Sequence, residues 1–173
     1  CPDGEDQVQK ATGWSKYSGT NSTPDYYNAC APSTGFGVPK NSFCYQPGYG
    51  NSNAYLGVFT YASGILNYRE QVGIQLSQPL IIGRKYFLSF YAVMGEYDVN
   101  GNFFGMPSNN IGIRLSSMPY TSASPAPIDN FAHLRSSAII NDSINWIHIS
   151  GNIIANAPYQ YLIVGNFFDD ANT

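Results

Sequence analysis

Short runs in which apolar and polar residues alternate with a period of two, each closed off by Gly, Pro, Asn or Ser, recur along these 173 residues. No stretch sustains the 3.6-residue period of an amphipathic helix. Such a pattern commits a chain to β-structure, because successive side chains of a strand point to opposite faces. Strands are expected over "AYLGVFTYA" (54–62), "YREQVGIQL" (68–76), "KYFLSFYAVM" (85–94), "NIGIRLS" (110–116), "WIHISGNII" (146–154) and "YQYLIVGNFF" (159–168). In the third, Tyr86, Leu88, Phe90, Ala92 and Met94 share one face, and Phe87, Ser89, Tyr91 and Val93 share the other; one of the two packs the core. The fourth points Ile111, Ile113 and Leu115 inward and Gly112, Arg114 and Ser116 outward, the pattern of an antiparallel sheet with one solvated side. Two such sheets face to face make an all-β sandwich.

The first fifty residues are rich in Pro, Gly and Asn and read as long ordered loops pinned by Trp14, Tyr26, Tyr27 and Phe43. No internal repeat is visible. With 43% hydrophobic residues, one domain over 1–173 can bury a full two-layer core. A start on "CPDG" and an end at Thr173 read as a domain cut from a longer protein. No apolar run approaches the ~20 residues of a membrane-spanning helix, so membrane insertion is not expected. The formal net charge is −3, and the basic residues are scattered from Lys10 to Arg135. Lacking a basic stripe to track phosphates, the chain is not expected to bind nucleic acid. Charged residues make up only 11% of the chain, and Asn, Ser, Thr, Gly and Tyr are abundant; such a composition leads to the expectation of a secreted or cell-surface protein. Cys1, Cys30 and Cys44 allow one disulfide and leave one thiol, with no C-x-x-C spacing. The pairing favoured is Cys1 with Cys30.

Catalysis is not expected. The two histidines, His133 in "FAHLR" and His148 in "WIHISG", read as strand residues. There is no G-x-S-x-G elbow, no H-E-x-x-H pair and no phosphate-cradling glycine loop. Among Glu70, Glu96, Asp98 and Asp142, no spacing selects a glycosidase pair. Calcium is a better use for carboxylates, since a hard cation takes about six to eight oxygens from side chains and loop carbonyls. The candidates are the adjacent Asp169 and Asp170 after the last apolar run, with Asp3, Glu5 and Asp6 of "CPDGED". The alternative makes these a strand terminus and a solvated turn. "EYDVNGN" (96–102) breaks the calcium-loop pattern at Val99 and reads as a hairpin turn.

Aromatic rings stack on the C–H faces of sugars while amides and carboxylates pair with their hydroxyls. Mixed sites of this kind are expected at Tyr97, Phe103 and Phe104 in one loop and at Tyr49 beside Asn51 and Asn53. Arg69 and Glu70, adjacent charges at a strand start, point to opposite faces and cannot simply pair with each other. Each must find another partner, in the protein or in a ligand.

Taken in order, "GWSKYSGTNSTPDYYNAC", "GVPKNSFCYQPGYGNSNAYLGVFTY", "NYREQVGIQLSQPLIIGRKYFLSFYAVM", "NNIGIRL" and "INWIHISGNIIANAPYQYLIVGNFFDD" cover nearly the whole chain. Together they resemble the N-terminal jelly-roll domain of large secreted Bacteroidetes proteins that carry gliding-motility-associated or type IX sorting domains at their C-terminus. That module is in turn similar to galactose-binding-like carbohydrate-binding modules, whose last strand ends in "DD". There the terminal Asp and a Glu of the opening strand help hold a structural calcium. Asp169 and Asp170 match the terminal position, whereas the Glu has no match here, and neither has the usual opening strand. Cys44 stands where the pattern has a small residue, which fits it as the odd thiol, and "YREQ" replaces the commoner "YREY".

The resemblance implies an antiparallel jelly-roll β-sandwich of galactose-binding-like type with long N-terminal loops. It implies a non-catalytic carbohydrate-binding or adhesion module, working beside the neighbouring domains of its parent protein, with a polysaccharide or glycan as partner and calcium as structural cofactor. On it, Asp169 and Asp170 tie the last strand to the first, through calcium or through N–H groups of the N-terminal loop. The alternative is a structural or protein-interaction domain of a surface adhesin without a sugar site.

Overall fold

The computed structural model describes residues 1–33, 35–95 and 105–173. Nine strands run through them: β1 (Trp14–Lys16), β2 (Asp25–Asn28), β3 (Ala54–Gly57), β4 (Gln71–Gln75), β5 (Lys85–Ala92), β6 (Ile111–Ser116), β7 (Leu134–Arg135), β8 (Ile147–Ile154) and β9 (Tyr161–Asn166). Among the described residues the helical structure is confined to 3-10 turns such as Val8–Lys10. Every strand pairing is antiparallel, so the expectation of an all-β, antiparallel fold holds. A main sheet has the order β1-β4-β9-β6-β7, while β2-β3 and β5-β8 form two separate ribbons.

All six expected strands form, each shorter than the alternation suggests, and side chains explain the trimming after β3. After Gly57 the chain leaves the ladder because the buried Glu70 carboxylate accepts the Phe59 N–H at 2.9 Å and the Asn166 amide donates to the Thr60 carbonyl at 3.0 Å. The first fifty residues are not loop alone. β1 forms the edge of the main sheet against β4, with Trp14 opposite Ile74, and β2 pairs with β3, with Tyr27 opposite Tyr55. Strands of three and four residues are too short for a period of two to show between Gly and Pro.

The β5-β8 ribbon packs its inner face on the main sheet. Leu88 contacts Ile113 and Leu115 in one cluster that Phe90, Ile153, Leu162 and Val164 extend, and Ala92, Ile140 and Ile149 form a second beside it. The face carrying Leu88 and Ala92 is therefore the core face of β5.

The expected solvated side of the main sheet is corrected by the structure. Tyr17, Ile163, Phe167 and Phe168 cluster there under Ala126, with Tyr120, Ala132 and Tyr161 at the margin. The segment between β6 and β7 thus lies over the outer face, held by the Ala126 N–H on the Tyr17 carbonyl at 2.7 Å. Arg114 does not project into water. It pairs with Asp129 at 2.6 Å and lies over the rings of Phe131 and Phe167, and Gly112 and Ser116 are buried. No helix among the described residues is long and apolar enough to cross a membrane.

Candidate functional site

Because the inner face of the β5-β8 ribbon is taken by the core, its other face looks outward, and the register fixes what stands there. Lys85 faces Ile154, Phe87 faces Asn152, Ser89 faces Ser150 and Tyr91 faces His148, and all eight residues are exposed. Phe87 and Tyr91 lie on the same strand four residues apart, about 14 Å at ~3.4 Å per residue, with hydroxyl and amide side chains between and opposite them. Phe87 is 61% exposed and Tyr91 36%. Besides the Tyr91 phenol, the charged or titratable groups on this face are Lys85 and His148.

A third ring reaches this face from outside the ribbon. Tyr49 stacks on Tyr91 with ring centroids 3.6 Å apart and planes 17° from parallel, and Tyr91 stacks in turn on His148 at 4.7 Å. The contact with the Tyr49 hydroxyl raises the Tyr91 phenol above its ordinary value. Tyr49 is delivered by the turn "PGYGN". Gly50 sits at φ 59°, where a Cβ is costly, and Asn51 follows at φ 64°, a region Asn tolerates better than most residues. The turn is pinned by Trp146, whose indole N–H donates to the Pro47 carbonyl at 2.9 Å while its ring meets Tyr55 edge-on. The tryptophan just before β8 therefore holds in place the loop that supplies the third ring.

The sequence-derived candidates fall into three groups. Tyr49 belongs to this face, and Asn51 and Asn53 are exposed in the same segment. Tyr97, Phe103 and Phe104, with Glu96 and Asp98 of the weighed carboxylate pairs, lie outside the described residues. Arg69 and Glu70 are 4% and 1% exposed, and the protein itself takes up their hydrogen bonding. Arg69 donates to the Phe168 and Tyr68 carbonyls and the Thr173 hydroxyl, and its ion pair with Asp170 is 2.9 Å long. Glu70 accepts from the N–H groups of Thr23 and Phe59 and from the Tyr68 hydroxyl. Of the two roles weighed for this pair, the structural one matches these contacts.

Asp169 and Asp170 turn out to be a double clamp. The Asp169 N–H donates to Asn130 Oδ1 while Asn130 Nδ2 donates back to Asp169 Oδ2. The Asp170 N–H donates to Asn67 Oδ1 while the Asn67 N–H donates back to Asp170 Oδ2. Both asparagines have positive φ, 61° and 51°, so each turn offers its amide to the chain end. These bonds hold both carboxyls below the usual range, through Asn130 and Asn172 for Asp169 and through Asn67 and Arg69 for Asp170. The expected tie between last and first strands is thus replaced by ties to the turns preceding β4 and β7, because β9 is central in the main sheet and β1 is its edge.

Asp3 is paired with Lys10 at 2.5 Å, Asp6 with Lys16 at 2.6 Å, and Glu5 is exposed. Among the described residues no group of three or more His, Cys, Asp or Glu side chains comes together as a metal site requires. Internal donors engage the carboxylates of Asp169, Asp170 and Asp3. Cys1 and Cys30 form the disulfide, and Cys44 is free. His133 is half-buried, with Nδ1 accepting the Leu115 N–H and Nε2 on the Tyr159 hydroxyl. Burial, and then the charge of Arg114, lowers its pKa and favours the neutral ring.

The sequence reading missed Phe87, Tyr91 and His148 as site residues. The signal was present: Phe87 and Tyr91 alternate out of phase with the core residues Leu88 and Ala92, so two aromatics fall on the face that water should claim. Comparison with known proteins finds no match: no family model, no curated protein and no solved structure is significantly similar to this chain.

Proposed function

We propose that this chain is a non-catalytic carbohydrate-binding module of jelly-roll type, a secreted or cell-surface adhesion domain whose sugar site is the outer face of the β5-β8 ribbon. One observation carries the reading. Phe87 and Tyr91 stand on the solvent side of a single strand with Ser89, Ser150 and Asn152 between and opposite them, and Tyr49 is stacked on Tyr91. Rings fixed by a ladder and by stacking lose little freedom when a sugar face lies on them, and the intervening hydroxyls and amide match sugar hydroxyls. The separation of the outer rings suits a run of sugar units along the strand better than a single ring. Two further features support the jelly roll: the chain passes from the main sheet to the β5-β8 layer and back twice, at β5 and again at β8, and the sequence segments resemble that module.

The test is a glycan and polysaccharide array on the folded domain, repeated with Phe87→Ala. Saturable binding to one polysaccharide class is expected, with affinity reduced about tenfold in the variant, the worth of one stacking ring. A folded wild-type domain that binds nothing would move the assignment to the adhesin domain without a sugar site. That second reading has its own observation: Ile81, Ile82 and Ile154, 57%, 63% and 68% exposed, crowd the Lys85 end of the same ribbon, where an apolar protein contact would sit.

A further inference from the structure

The two layers do not close against each other everywhere. Between the β2-β3 ribbon and the β1-β4 side of the main sheet lies a cleft of about 650 Å³, walled by Trp14 and Val72 on one side and by Tyr27 and Tyr55 on the other. No residue of β3 is fully buried, on either face, as expected for a ribbon that stands off from the sheet it covers. Protein interiors are close-packed, with few voids larger than a water molecule. A space of this size falls instead in the range of small-molecule sites, roughly 300–1,000 Å³.

Both carboxyls and several hydroxyls on its walls are already engaged within the protein. Asp25 accepts from the Asp6 N–H and the Tyr27 hydroxyl, and Glu70 from the Thr23 and Phe59 N–H groups and Tyr68. Asn41 donates to the Tyr55 hydroxyl, and the hydroxyls of Thr60 and Ser108 bond to each other at 2.6 Å. What the cleft still offers a visitor is ring face and aliphatic surface: Tyr55, Phe59, Tyr61, Phe90 and Trp146 among its lining. Two buried carboxyls repel an anion, and with their oxygens already bonded they give a cation little. We infer that this cleft is a second binding site, adjoining the proposed sugar face at Tyr91 but argued independently of that reading, for an uncharged, mainly apolar, ring-bearing small molecule.

Both tryptophans of the chain, Trp14 and Trp146, line the cleft, so an occupant reports itself. The probe is N-phenyl-1-naphthylamine, an uncharged aromatic dye that accepts energy from tryptophan. Titrated into the folded protein and excited through tryptophan, it should give saturable emission at one dye per chain, with matching loss of tryptophan emission. Val58, which lines the cleft, is changed to Asp to charge the wall and, separately, to Phe to narrow it; each variant must first show cooperative thermal unfolding. Affinity is expected to fall at least about tenfold in a folded Val58→Asp protein and measurably in Val58→Phe. Phe87→Ala, outside the cleft, should leave dye binding unchanged, and the Val58 variants should leave glycan binding unchanged, so the two sites fail or stand separately. Absence of saturable transfer in the wild type, or equal affinity in the wild type and the folded Val58 variants, overturns the inference.

Discussion

Asp25 is 7% exposed at the start of β2, an expensive position for a carboxylate in a chain with few charges. Burial is the largest influence on it and raises its carboxyl from 3.8 to about 6; the Asp6 N–H and the Tyr27 hydroxyl oppose the rise, and the charges of Glu70 and Glu5 add to it. The folded protein therefore holds this proton more tightly than the unfolded chain does. The stability it contributes is complete below about pH 4 and is lost as the pH rises to about 6. Asp169 and Asp170 act in the opposite sense: their lowered values give stability that is present above the ordinary carboxylate range and lost on acidification below it. Asp25→Asn removes the first effect alone. Thermal midpoints of wild type and variant at about pH 4 and about pH 7 should differ by an amount that moves in the variant's favour at the higher pH. A gap that does not change with pH would show that Asp25 titrates as an ordinary surface carboxyl. None of this was legible in "TPDYYN", since burial of a short strand's aspartate is decided by segments far away in sequence.

At the scale of elements, β7 shows how a two-residue strand persists. It is held to β6 through the Ser136 N–H on the Ile111 carbonyl and the His133 N–H on the Ile113 carbonyl, both at 2.9 Å. The strands approach so closely that a Cβ on Gly112 would run into the Leu134 carbonyl. Gly112→Ala is expected to cost about 2 kcal/mol, as overpacking against rigid backbone does. Amide hydrogen exchange should show the loss at His133 and Ser136 ahead of the β4-β9 pairing; unchanged protection there would mean the backbone yields at no cost. The alternation in "NIGIRLS" identified the strand and placed Ile113 and Leu115 inward. It also read Gly112 and Ser116 as solvent-facing, because a period of two separates two faces and does not say whether a distant loop covers the second.

For the whole molecule, the Cys1–Cys30 disulfide, closing a separation of 29 residues, is the covalent tie of the N-terminal segment. Loop-closure entropy assigns such a bridge about 3–4 kcal/mol. The Cys1→Ser, Cys30→Ser protein should accordingly unfold about 10 °C lower than wild type in a thermal scan. An unchanged midpoint would show that the hydrogen bonds and ion pairs Asp3–Lys10 and Asp6–Lys16 hold the segment unaided. The inferred cleft site and the proposed sugar face also belong to this scale. Tyr91 takes part in both, standing on the outer face of β5 and lining the cleft, and Trp146 lines the cleft while pinning the Tyr49 turn.

The period-two pattern by itself determined that the chain is built of antiparallel strands, where six of them run, and which side chains of β5 share a face, because alternation is a local property of strand geometry. Composition determined how few charges there are to account for. The tertiary structure alone decided that the loop before β7 covers the main sheet, that Asp169 and Asp170 clamp the turns at Asn130 and Asn67, and that Tyr49 reaches Tyr91 across 42 residues of chain. Those contacts join residues far apart in sequence, and no local period records which distant segment a face will meet.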